Sequence, residues 1–218
     1  FSPWSGLWIG VNRLKILHPG PDADQPFWAP DGNSLLILNG EIYNFQEIKN
    51  DLAALGHSFT SESDTEVILH AFQQWGTDCL HRFIGMFAFV IYNPTTNQVF
   101  IARDRTGIKP LHYYFADGLF LFASELKAFH RHPQFQKKIN LNAVAAFMQY
   151  GNVPGDESIF EHCNKLLPGH YAVLDLTHQT LSVFRYWNVY DTYNKPKLTL
   201  SFDEAKKETE QLIQSACN

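Results

Sequence analysis

The sequence holds little cysteine, no cluster of basic residues and no long apolar run, and each shortage excludes something. Three cysteines, Cys79, Cys163 and Cys217, are odd in number and lack CxxC spacing. They argue against a disulfide framework and read as free thiols in a reducing, cytoplasmic setting. Lys and Arg, 17 against 22 Asp and Glu, leave a net charge of −5 and form no patch, which disfavours a nucleic-acid surface. No apolar stretch approaches the ~18 residues that a membrane-spanning helix requires. Phe1 follows neither a methionine nor a basic flank, so no signal peptide is indicated and residues upstream are expected.

Familiar chemical signatures are also missing. There is no Gly-x-Ser-x-Gly elbow, and "DRTGIKP" (104–110) lacks the spacing of a phosphate loop, so a rigid turn is its better account. Ten histidines include one close pair, His130-x-His132, with no acidic or cysteine partner to complete a metal set. Cys79 and His81 are near in sequence only, and a buried thiol is the default reading.

What is plentiful is apolar and aromatic: 45% of residues are hydrophobic and 15% aromatic, which suits strands of a well-covered sheet. Segment 6–17 reads as a strand and 18–33 as a loop rich in proline. In "LLILNGEIYN" (35–44) an apolar strand meets Asn39-Gly40, a two-residue hairpin signal. Helices are predicted from Asn44 as N-cap to Gly56, and from a capping box Ser63-x-x-Glu66 to Gly76. Hairpins follow at 86–104, at 111–124 around Asp117-Gly118, and within 170–189. Helical stretches are expected near 124–130 and 141–149, and a last helix opens at Ser201-x-x-Glu204. Antiparallel connections with helices inserted early indicate an α+β layered fold.

Three polar features stand out. Arg13 lies alone among apolar residues in "VNRLKIL", where its planar fork suits either surface cover or a carboxylate. Asn39-Gly40-Glu41 carries amide donors of the kind that stabilise an oxyanion. Asp64 lies in a helix first turn, where dipole compensation is the ordinary reading. An α-amino-acid site needs all three: a cation, an anion and amides at the reacting carbonyl.

"NGEIYN" (39–44), "SDTEVIL" (63–69), "GMFAFVIY" (85–92), "RDRTGIKPLHYY" (103–114) and "FASELKAF" (122–129), in this order, resemble the class II glutamine amidotransferase domain of glutamine-hydrolysing asparagine synthetases. The likeness extends over nearly the whole chain. It implies a four-layer αββα sandwich of two antiparallel sheets, the N-terminal-nucleophile hydrolase fold. It also implies an amidotransferase domain over 1–190 and a linker with the first helix of a synthetase domain over 191–218. By resemblance, Asn39 and Gly40 form the oxyanion hole and Arg13 binds the substrate carboxylate. Glu41 and Asp64 surround the amino group, and the backbone near Leu17 lines the pocket.

The implied partners are L-glutamine and a C-terminal synthetase domain, with a homodimer as a further option. The implied cofactors are none in this chain, with ATP and Mg in the synthetase domain. The family's N-terminal cysteine and its pyrophosphate loop are not among these residues. The chain as given is therefore expected to lack glutaminase activity, and a non-catalytic scaffold for an attached ligase stands as the alternative.

Overall fold

The structure, a computed structural model, describes residues 6–12, 20, 24–30 and 32–217. The chain divides after Trp187 into two compact units. In the first unit the elements run β1 (Phe27–Trp28), β2 (Leu35–Ile42), α1 (Phe45–Ala54), α2 (Asp64–Trp75), α3 (Cys79–Arg82), β3 (Gly85–Asn93), β4 (Gln98–Arg103), β5 (His112–Ala116), β6 (Leu119–Ala123), α4 (Leu141–Tyr150), β7 (Cys163–Lys165), β8 (His170–Asp175) and β9 (Thr180–Arg185). The second unit carries α5 (Val189–Tyr193) and α6 (Phe202–Cys217).

Two antiparallel sheets form, one in the order β1-β2-β3-β4-β8-β9 and one in the order β6-β5-β7. Side-chain alternation explains their stacking. Leu36, Leu38, Phe87, Phe89, Ile91 and Phe100 face one side, where α1 and α2 cover them with Ile48, Leu52, Val67 and Ile68. Their sequence neighbours Leu35, Ala88, Val90, Tyr92, Val99 and Ile101 face the other side and meet Tyr113 and Leu166 beneath the second sheet. Tyr114 points through that sheet to a third cluster with Phe129 and Phe135, beside a 3-10 turn at Leu126–Arg131. The layers are therefore helix, sheet, sheet and a thin outer cover, an α+β sandwich.

Most predicted elements are found within a residue or two of their expected bounds. The Asp117-Gly118 hairpin turn has both residues at positive φ, 52° and 75°, as a two-residue primed turn demands. The stretch near 124–130 is the 3-10 turn rather than an α-helix. The short elements α3, β7 and α5 carry no pattern that singles them out.

Asn39-Gly40 is not a turn. β2 runs straight through it, paired residue for residue with β3 from Leu35 opposite Tyr92 to Ile42 opposite Gly85. The glycine answers a close approach: a Cβ on Gly40 would lie 2.0 Å from the Met86 carbonyl oxygen, and φ is 145°. Gly85 is pressed the same way, its absent Cβ 2.2 Å from the Glu41 carbonyl oxygen.

Two predicted caps work differently. Asn44 precedes α1 without a side-chain cap bond and instead clamps the chain after α3, donating to Arg82 O and accepting from Ile84 N. Ser63 caps α2 by accepting from Thr65 N, but Glu66 does not reach back to Ser63. Fully buried, it takes the N–H and hydroxyl groups of Thr60 and Ser61 at 2.7–2.8 Å. The Ser201–Glu204 box of α6 forms as predicted, each side chain bonding the other's backbone N–H.

Candidate active site

Among the described residues β2 meets β1 only at Leu35 and Leu36, and no other described strand pairs with that edge of β2. Which groups face that edge follows from the pairing. Opposite Gly40, Phe87 turns its N–H and carbonyl toward Asp104, at 3.2 Å to Oδ2 and 2.8 Å from the Asp104 N. Gly40 and Phe87 are thus a non-hydrogen-bonded pair, and the N–H groups of Leu38, Gly40 and Ile42 point away from β3. The first is taken by Gln25 Oε1 at 2.8 Å and the third by Asp64 Oδ2 at 3.0 Å. Among the described residues none accepts from the Gly40 N–H between them.

A cavity of about 570 Å³ opens here, lined by Asn39, Gly40, Glu41 and Asp64 together with Gln25 and Ser124. Its size suits a small metabolite. Asn39 and Glu41 lie on the face of β2 turned to the second sheet. Asn39 Nδ2 donates to Ser124 Oγ, just past the end of β6, at 3.2 Å.

Asp64 approaches from the helical layer in the first turn of α2 and is 5% exposed. Burial pushes its carboxyl above the ordinary 3.8, the amides of Ile42 and Thr65 oppose this, and the Glu41 charge adds to the rise. Neither carboxylate is paired with a cation among the described residues. Two acids, one of them buried, beside an amide donor form a place where a ligand cation would be stabilised and a ligand carbonyl received.

The structure therefore gathers four of the six predicted site residues, Asn39, Gly40, Glu41 and Asp64. Arg13 and Leu17 lie outside the described residues. Gln25 and Ser124 were not singled out by sequence. A Gln before Pro26 gives a weak hint of a fixed turn, and Ser124 gives none.

The segment "RDRTGIKP" supports the site from behind and is a rigid turn. Asp104, fully buried, accepts from the N–H groups of Phe87, Thr106, Ile108 and Lys109. Arg103 donates to the carbonyls of Lys109, Leu166 and Gly107 at 2.7–2.8 Å. The two buried thiols are unsuited to attack. Burial pushes Cys79 far above its ordinary range and Cys163 to about 11. His130 packs its ring on Phe135 and Phe160.

Residues 4–187 match the family model of the glutamine amidotransferase domain. Asparagine synthetase [glutamine-hydrolyzing] 3 of Bacillus subtilis is 36% identical over 183 residues, which are 83% of this chain and 29% of that protein. A putative asparagine synthetase [glutamine-hydrolyzing] 2 of Methanocaldococcus jannaschii is 35% identical over 202 residues, 90% of this chain and 37% of that one. The chain thus spans well under half the length of these relatives. Among solved structures, glutamine phosphoribosylpyrophosphate amidotransferase from B. subtilis superposes with a TM-score of 0.52 at 21% identity, over 77% of this chain and 33% of its own. That likeness concerns the fold.

Proposed function

The chain belongs to the glutamine amidotransferase domain family, and on that premise we propose that the cavity binds L-glutamine for release of its side-chain ammonia. The observation that carries this reading is the Gly40 N–H, left between two occupied neighbours and aimed out of the sheet beside the Asn39 carboxamide. When a nucleophile adds to the substrate's carboxamide carbon, charge develops on its oxygen. Gly40 N–H and the second hydrogen of Asn39 Nδ2 receive that charge, and neither needs to reorganise in a sheet-anchored site. Glu41 and Asp64 hold the α-ammonium, and Arg13, by family likeness, takes the α-carboxylate. The attacking group is neither of the buried thiols, Cys79 or Cys163. By the same likeness it is an N-terminal cysteine of the complete polypeptide.

The relatives' names support a synthetase partner domain that consumes the ammonia, amidating aspartate or a related carboxylate. ATP and Mg then belong to that domain, and a homodimer is compatible with this arrangement. Free cysteines, two of them buried, fit a cytoplasmic setting.

The experiment is glutamine-dependent ammonia release by the complete polypeptide and its Asn39→Ala variant. Turnover is expected to fall by roughly 10²–10³, as for loss of other oxyanion donors, while synthesis from free ammonia persists. An unchanged rate in the variant overturns the oxyanion assignment. Absence of both glutamine binding and ammonia release in the parent favours a non-catalytic scaffold.

A further inference from the structure

We propose that Ser124 is a positioning residue for the amidotransferase reaction, holding the Asn39 carboxamide from the opposite sheet so that its free N–H converges with that of Gly40. The inference rests on the function proposed above. Asn39 is exposed on β2, and its carboxamide turns about two side-chain bonds. Left alone, it would present N–H₂ and oxygen to the cavity in many orientations. Ser124 Oγ, 85 residues away in sequence, accepts one of its two amide hydrogens at 3.2 Å. That contact restrains the carboxamide and, in the orientation seen, leaves its second N–H without an acceptor among the described residues, available for a ligand oxygen.

Ser124 is itself held. Its carbonyl accepts from His112 Nδ1 at 3.2 Å, and since a carbonyl only accepts, Nδ1 carries the hydrogen. His112 lies on β5 opposite Ala123, so the Ser124 backbone is tied to the neighbouring strand. The chain of contacts runs from β5 to Ser124 to Asn39, from one sheet to the other, and ends at the cavity.

The test is a double-mutant cycle in the complete polypeptide with S124A, N39A and the double variant, read as ammonia release and as glutamine affinity. S124A is expected to lower kcat about tenfold, the worth of one hydrogen bond, with KM little changed and the melting temperature preserved. In the N39A background, S124A should cost nothing more, and S124T, which keeps the hydroxyl, should recover much of the loss. Equal cost of S124A with and without Asn39 overturns the proposal, as does parental activity in S124A. If N39A is itself harmless, the proposed oxyanion hole has failed and takes this inference with it. A harmful N39A with a harmless S124A rejects the positioning role alone.

Discussion

Asp64 shows how the demands of a site differ from those of a fold. Its carboxyl is raised by burial in the native state, so the native state holds the proton to higher pH than the unfolded chain does. Stability is therefore lost as pH rises from the unfolded value, near 3.8, through the raised native one, and is flat above it. Asp64→Asn keeps an oxygen for the Ile42 N–H but carries no charge. The variant should gain on the parent through that window, giving a higher melting temperature at pH 7 with weaker glutamine binding. Melts from pH 3 to 8 check this, and a gain that does not depend on pH would show that the charge is not the cause. At this scale the sequence was misleading about conformation. Asn39-Gly40 carries amide donors, but it makes no turn, and Gly40 answers the crowding by Met86 from the facing strand. Nothing local reveals a neighbour 46 positions away. Ser124 was illegible for the same reason.

Among elements, the entry to α2 is the most informative. Glu66 has no exposed surface, and burial alone would raise its carboxyl. The hydrogen bonds from Ser61 and Thr60 outweigh this and hold it below the ordinary 4.5. A depressed native value contributes stability above the unfolded one, and that contribution is lost as pH falls through the native value. Glu66→Gln, which places an amide against one of those donor pairs, should cost about 2 kcal/mol near pH 7. The penalty should shrink below pH 4.5. Denaturant titrations at neutral and acid pH would show it, and an equal penalty at both would reject the account. This loop matters to function because α2 begins at Asp64. A capping box was legible in "SDTE", and its helix forms where expected. Its glutamate serves the preceding loop because Thr60 and Ser61, not Ser63, present donors to it. The long hairpins were legible from alternation and turn residues. The short β7 was not, since three residues, Cys163–Lys165, are too few for a period to emerge.

For the molecule as a whole, the division after Trp187 separates a unit with three apolar clusters from one whose helix α6 buries none of its residues. A 16-residue helix without a packed face is marginal in water. Trypsin should cut early after Lys197, in exposed chain between α5 and α6, and the remaining first unit should melt at the parental temperature. A lowered melting temperature in the nicked protein would show that the two units share their stability. The layered α+β architecture was legible because both sheet faces are apolar in alternation. The order of strands was not, because β8 and β9 join β4 across more than sixty intervening residues.

The half-open edge of β2 also bears on how molecules of this protein avoid one another. Bare N–H groups along a strand invite another chain to add itself. Gln25 and Asp64 plug the positions on either side of Gly40, so among the described residues a stray strand finds one donor where it would need a row. Gln25→Ala should increase particle size with concentration in light scattering, where the parent holds steady. A variant as well behaved as the parent would show that the edge is protected by something else. A single donor at Gly40 is too few to admit a neighbouring strand.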